Sequence, residues 1–162
     1  MKQKILTADE ARAIAQEMSE RGRKLVFTNG CFDLLHVGHV RYLAAARALG
    51  DALLVAINGD ESVRALKGEG RPLTRESDRA EVVAALASVD YVVVFPEVRA
   101  TALLEMVRPA IYVKGGDYTA ESLHSEERNA LERMGTEIRI VPFEAGHSTS
   151  GLLEKIKLQG SE

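Results

Sequence analysis

The sequence predicts an α/β fold: a doubly wound parallel sheet of five strands with helices on both faces. Three observations carry that reading. Short apolar runs alternate with amphipathic stretches along the chain. The runs are continuously apolar, as buried strands are, and the stretches between them are long enough for right-handed helical crossovers. The segments richest in Gly, His, Lys and Asp fall where a strand ends or a helix begins, which is where ligands sit in such folds.

The elements follow in order. Thr7-Ala8-Asp9-Glu10 reads as a capping box that opens a helix running to about Gly22. Ala11, Ile14, Ala15 and Met18 give this helix one apolar face. Lys24 to Phe27 is the first strand. An amphipathic helix starts near His36 and runs to Leu49. Asp51 to Asn58 is the second strand, closed by the turn Asn58-Gly59-Asp60. A short helix reaches Leu66, and Lys67 to Pro72 is a polar, Gly-rich loop. Glu76 to Ser88 is helical, and Asp90 to Phe95 is a β-branched strand. Ala100 to Val107 is a helix stopped before Pro109. Ala110 to Lys114 is the fourth strand, Leu123 to Met134 a helix, Glu137 to Val141 the fifth strand, and Ser148 to Lys157 the last helix. No repeat, low-complexity tract or linker interrupts the pattern.

Composition narrows the function. The 162 residues are 46% hydrophobic and 28% charged, which suits one globular domain with a sizeable core. No apolar run approaches the ~20 residues that span a bilayer, so no membrane partner is expected. Met1 to Lys4 leads into a polar segment, which reads as no secretory signal. The single Cys31 cannot form an internal disulfide, which fits a cytoplasmic location. A net charge of −3 argues against nucleic acid as a partner and leaves small anions to local basic clusters.

The stretch from Thr28 to Leu43 is the most informative. His36-Val37-Gly38-His39 opens a helix, whose unpaired N–H groups and partial positive charge attract phosphate. His36 and His39 are three apart and share one helix face. Gly38 leaves room for a ligand beside the backbone. Two imidazoles over such a helix end suit chemistry at phosphorus. Gly30-Cys31-Phe32-Asp33 followed by His36-Val37-Gly38-His39 resembles the signature of the cytidylyltransferase-like nucleotidyltransferases. Those enzymes transfer a nucleotide to a phosphate or phosphorylated substrate and release pyrophosphate. The resemblance implies a Rossmann-like fold of the HxGH type in a single domain over 1–162. A leading helix would occupy 1–23 and a catalytic core 24–158.

Other segments join the site. Lys67, Arg71, Arg75 and Arg79 form a spaced basic group. Lys67 and Arg79 are expected to reach a triphosphate, while Gly68 and Gly70 let the loop close. Leu66-Lys67-Gly68 through Arg71-Pro72 resembles the phosphate-binding stretch of sugar-phosphate adenylyltransferases. After the fourth strand, Lys114-Gly115-Gly116-Asp117-Tyr118 offers backbone groups to read a base edge, and Asp117 could hold a metal or a substrate hydroxyl. Gly146-His147-Ser148-Thr149-Ser150 taken alone is a helix N-cap. It resembles the S-T-[ST] signature of the superfamily and would form a second phosphate cradle. Glu144 and His147 stand where some relatives carry Arg or Lys. Cys31 reads as a packed residue and not as a nucleophile. Asp33 would orient a motif group or influence a metal, and His124 is a surface residue.

The resemblance thus implies catalytic roles for His36, His39, Lys67 and Arg79. It implies nucleotide contacts from Asn29, Gly30, Cys31, Phe32, Asp33, Gly38, Lys114, Gly115, Asp117, Ser148, Thr149 and Ser150. Asp60, Arg71 and Tyr118 would touch the acceptor. The partners would be ATP, a sugar phosphate and a second copy in a homodimer. Mg²⁺ would arrive with ATP, with no residues set aside as metal ligands. The ordered set of motifs resembles most the D-glycero-β-D-manno-heptose 1-phosphate adenylyltransferases, as a domain without a kinase partner. That implies ADP-heptose supply for lipopolysaccharide or other surface glycans. Glycerol-3-phosphate cytidylyltransferases share the first and last signatures and are the alternative. Pantetheine-phosphate adenylyltransferases fit less well, because their motif has Thr at the first His. A non-catalytic nucleotide-binding module is the reading from another class.

Overall fold

A computed structural model describes residues 2–116, 119, 122–142 and 149–159. The elements are β1 (Ile5–Leu6), α1 (Ala8–Glu20), β2 (Leu25–Gly30), α2 (Val37–Arg47), β3 (Ala52–Asn58), α3 (Asp60–Lys67) and α4 (Glu76–Ala84). They continue with β4 (Tyr91–Phe95), α5 (Thr101–Val107), β5 (Ile111–Gly115), α6 (Ser125–Met134), β6 (Glu137–Val141) and α7 (Thr149–Gln159). The α/β reading and the alternation of strand and helix are both observed.

The sheet is parallel and has six strands, in the order β1-β4-β3-β2-β5-β6. The additional strand is β1, whose Ile5 and Leu6 pair with Val92 and Val93 at the edge. Two residues are too few for a periodicity to reveal. The capping box forms as expected: the Glu10 N–H donates to Thr7 Oγ1 at 3.2 Å and the Thr7 N–H to Glu10 Oε2 at 2.7 Å. Two helices are shorter than their patterns suggest. α4 stops at Ala84, and tighter turns then bring Val89 into the core, with the Leu86 N–H on Val83 O and the Val89 N–H on Leu86 O. α6 starts at Ser125, and Leu123 packs into the core from the preceding turn.

Successive strand residues point to opposite faces, so the sheet has two cores. Phe27, Leu54, Val93 and Tyr112 meet α1, α5 and α6 on one face. Val26, Leu53, Val55 and Val113 meet α2 and α4 on the other.

The chain runs from β2 outward through β3 to β4, then crosses back to place β5 on the other side of β2. The strand order therefore reverses between β2 and β5. β2 pairs with β3 along its whole length, to Gly30 opposite Ile57. It pairs with β5 only at Val26–Ile111 and Phe27–Tyr112. Past that point the two strands part, and their carboxyl ends open a crevice.

Candidate active site

The crevice is a cavity of about 430 Å³. It is lined by the ends of β2, β3 and β5, by α2 and α6, by the end of α3, and by the segment before α5.

At the opening of the ladder, hydroxyls replace backbone pairing. The Tyr42 hydroxyl donates to Val113 O at 3.1 Å, so the Thr28 hydroxyl, 2.6 Å away, donates to Tyr42. The Tyr112 hydroxyl donates to Asn29 Oδ1 at 2.9 Å. Tyr42 comes from α2 and Tyr112 from β5, so both tie the parted strands together without closing the gap.

His36 is the N-cap of α2, and His39 lies in its first turn. Their ring centroids are 4.0 Å apart. The His36 N–H donates to His39 Nδ1 at 3.4 Å. A neutral His39 ring then carries its proton on Nε2 and can donate from there. Burial, and secondly the neighbouring His36, pull the His39 pKa down to about 4. His39 is therefore an uncharged donor at neutral pH. Gly38 is buried between the two histidines.

Phe32 explains the motif before the helix. Its φ is +48°, in the left-handed region that is costly for a bulky side chain. That backbone turns the ring onto His39, 5.6 Å between centroids. A Cβ at position 30 would meet the Phe32 ring at 3.0 Å, which accounts for Gly30. Phe32 thus supports His39 while forming part of the wall. Burial raises the Cys31 thiol, which suits a packed residue.

Asp33 orients Arg71 at the crevice, and the placement of Arg79 differs from expectation. Asp33 is 7% exposed and surrounded by donors. It accepts from Arg71 Nε at 2.6 Å and from the backbone N–H groups of Leu73 and Thr74. Burial acts to raise its carboxyl, but these bonds outweigh it and hold the group below the usual carboxylate range. Its task is to anchor the segment after the Gly-rich loop. Arg79 is 2% exposed. Its guanidinium donates to Cys31 O, to Thr74 O and to Asp60 Oδ1 at 2.5, 3.1 and 2.8 Å. It lies beneath the crevice and ties three segments together, so a triphosphate in the crevice would not meet it. Asp60 is likewise engaged with Arg79 and does not line the cavity.

Lys67, Arg71, Arg99 and Lys114 do line it. Lys67 is exposed at the end of α3, and Lys114 is partly buried on β5. Among the described residues, two carboxylates stand against these four cations, Asp33 and Glu127, each already accepting backbone N–H groups. The crevice is therefore locally basic in a chain of net charge −3. The glycines of the loop take positive φ, +92° at Gly68 and +83° at Gly70. Gly116, after the lining residue Gly115, has φ of +93°. Asp117, Tyr118 and Ser148 lie outside the described residues, as do Glu144 and His147. Thr149 and Ser150 open α7. His124 is exposed, as expected.

The sequence reading missed Tyr42, Asn58, Arg99 and Glu127, all of which line the cavity. Asn58 and Arg99 gave no signal of their own. Glu127 did: it occupies a core position of α6, four residues after Leu123 and four before Leu131.

A cytidylyltransferase-like family model matches residues 27–154. The chain is 49% identical over 154 residues to the bifunctional protein HldE of Geotalea uraniireducens, covering 95% of this chain and 31% of that protein. It is 53% identical over 146 residues to the HldE of Citrifermentans bemidjiense, covering 90% and 29%. It thus spans about a third of the curated relatives it matches. Among solved structures, a lipopolysaccharide core biosynthesis protein from Thermoplasma volcanium superposes with a TM-score of 0.62 at 28% identity, over 76% of this chain and 98% of that one. A pantoate-β-alanine ligase from Francisella tularensis gives 0.58 at 14% identity, over 91% and 69%, a likeness of fold alone.

Proposed function

Because the chain belongs to the cytidylyltransferase-like family, a family of nucleotidyltransferases, we propose that it transfers AMP from ATP to D-glycero-β-D-manno-heptose 1-phosphate. The products would be ADP-heptose and pyrophosphate, for surface glycan or lipopolysaccharide synthesis. The observation that carries the reaction type is His39, packed against His36 at the start of α2, lining a crevice with Lys67, Arg71, Arg99 and Lys114. The names of the HldE relatives and of the Thermoplasma neighbour support the sugar-phosphate acceptor.

In this reaction an oxygen of the acceptor phosphate attacks the α-phosphorus in line. The bond from that phosphorus to the bridging oxygen breaks, and its electron pair leaves with pyrophosphate. The nucleophile is already anionic, so no general base is needed. The protein's part is positioning and charge stabilisation. Neutral His39 donates from Nε2 to a phosphoryl oxygen as charge builds, and the positive end of the α2 dipole favours the same charge. Lys67 and Arg71 hold the outer phosphates or the acceptor phosphate. Arg79 contributes by fixing Cys31 and Asp60 in place.

Mg²⁺ remains part of the proposal. Among the described residues no three His, Cys, Asp or Glu side chains gather as a chelating set. The ion would enter on the triphosphate and offset its charge. A homodimer is proposed as well, and light scattering tests it: a mass near 17.7 kDa in solution would exclude it. No described helix is long and apolar enough to cross a membrane.

The test is pyrophosphate release with ATP or CTP against the heptose 1-phosphate or glycerol 3-phosphate. Turnover with ATP and the heptose phosphate alone supports the reading. Turnover with CTP and glycerol 3-phosphate keeps the chemistry and replaces the substrates. Nucleotide binding without turnover in any combination would favour a binding module.

A further inference from the structure

Glu127 is a carboxylate where the helix pattern calls for a hydrocarbon. It is 4% exposed, between buried Leu123 and Leu131. A buried carboxylate is costly unless it is paired, so its partners indicate its task. Glu127 Oε1 accepts the Ala100 N–H at 3.0 Å. Ala100 is the N-cap of α5, and Leu103 at the third helical position has no side-chain oxygen to reach back to the Ala100 N–H. Glu127 supplies one from α6. Arg99, the residue before Ala100, lines the crevice, as do Lys114 and Glu127 itself. One side chain therefore holds the backbone that carries one cation and places negative charge in the same cavity as another.

We propose that Glu127 is a positioning residue for the cationic wall of the crevice. Through Ala100 it fixes the segment bearing Arg99, and its carboxylate stands in the same cavity as Lys114, where it favours the ammonium. Both cations then meet an anionic group of the substrate without rearrangement. The identity of that group as a phosphate rests on the nucleotidyltransferase reading; the contacts of Glu127 do not. Among the described residues, Glu127 from α6, Cys31 after β2, Arg99 before α5 and Lys67 at the end of α3 act on Lys114. Burial lowers the Lys114 pKa, and Arg99 and Lys67 push the same way. Glu127 opposes them most, with Cys31 next. Without the Glu127 charge, the ammonium would lose its proton at lower pH.

Two substitutions separate the cap from the charge. Glu127→Gln keeps a carbonyl oxygen for the Ala100 N–H and removes the charge; Glu127→Ala removes both. The measurements are thermal unfolding, calorimetric binding of inorganic pyrophosphate at pH 7 and pH 9, and the pH profile of turnover with ATP and the heptose phosphate. For Glu127→Gln we expect near wild-type melting and about tenfold weaker pyrophosphate binding at pH 7. The loss should be greater at pH 9. The alkaline limb of kcat/KM should move to lower pH, and KM should rise more than kcat falls. Glu127→Ala should also melt earlier. Wild-type pyrophosphate affinity in Glu127→Gln at both pH values would reduce Glu127 to a helix cap and overturn the proposal. Should Glu127→Gln fail to fold, Lys114→Gln is put through the same binding test, and an unchanged affinity there overturns it too. A wild-type protein that binds pyrophosphate but turns over no sugar phosphate would remove the functional reading, while the binding comparison still decides on Glu127.

Discussion

Lys67 and Arg79 belong to one basic stretch of sequence but to two different regions of the molecule. Lys67 ends α3 at the mouth of the crevice and is exposed. Arg79 lies below the crevice with its guanidinium bonded to two carbonyls and a carboxylate. The mouth holds cations that line the cavity, Lys67 exposed among them. The layer beneath holds Arg79 and Asp60, whose charges are consumed in joining the end of β2, α3 and α4. The contrast teaches that a charged residue near a motif serves substrate or scaffold according to its burial and partners, and not its spacing.

The contrast breaks most visibly if Arg79 is removed. Arg79→Ala leaves the Asp60 carboxylate and the Cys31 and Thr74 carbonyls without their donor. A loss of about 3–5 kcal/mol in stability is expected, measured by urea unfolding. Unchanged unfolding together with lost activity would make Arg79 a direct phosphate ligand after all.

His39→Ala tests the upper layer. It should cost on the order of 10²–10³ in kcat with a smaller change in stability. A loss below tenfold removes His39 from the proposed mechanism. The acid side of the stability profile sharpens the same point. His39 takes up its proton near pH 6.5 when unfolded but only near 4 when folded. The unfolded chain binds more protons between those values, so this contribution to stability is complete above pH 6.5 and is lost as pH falls towards 4. His39→Asn should flatten that slope in unfolding experiments from pH 7 to pH 4; an unaltered slope would refute the low folded pKa.

Smaller effects follow at the mouth and at the opening of the ladder. Lys67→Ala should raise KM for ATP or the acceptor about tenfold, ~1.4 kcal/mol, and leave the melting temperature where it was. A fall in melting temperature would place Lys67 in the scaffold with Arg79. Tyr42→Phe removes the hydroxyl that satisfies Val113 O where β2 and β5 part. It should cost about 1 kcal/mol in stability, with hydrogen exchange rising at the ends of both strands. No change there would mean that the ladder stays open without the hydroxyl.

Much of the fold was legible in the sequence, for identifiable reasons. β3, Ala52–Asn58, is buried at every position and reads as one apolar run. Thr7 and Glu10 carry their capping geometry in four consecutive residues. β1 was not legible, because pairing with β4 alone makes it a strand. At the site, the Gly30-Cys31-Phe32-Asp33 and His36-Val37-Gly38-His39 segments were visible because a turn and a helix start are local structures with local residue demands. Tyr42 was hidden because it acts on Val113, and Glu127 showed only as a charge at a core position because its partner, Ala100, is distant in sequence.

The sequence by itself determined the alternation of strands and helices, the helix start that carries His36 and His39, and the Gly-rich loop ending at Arg71-Pro72. All of these rest on interactions between residues a few positions apart, so the local order of side chains suffices. The tertiary structure alone decided where the β2–β5 ladder opens, which cations face the crevice and which are spent beneath it, and that a carboxylate of α6 caps α5 beside Lys114. Those outcomes depend on burial and on partners from other elements. A charge has no fixed use until the fold sets how much water and which neighbours surround it.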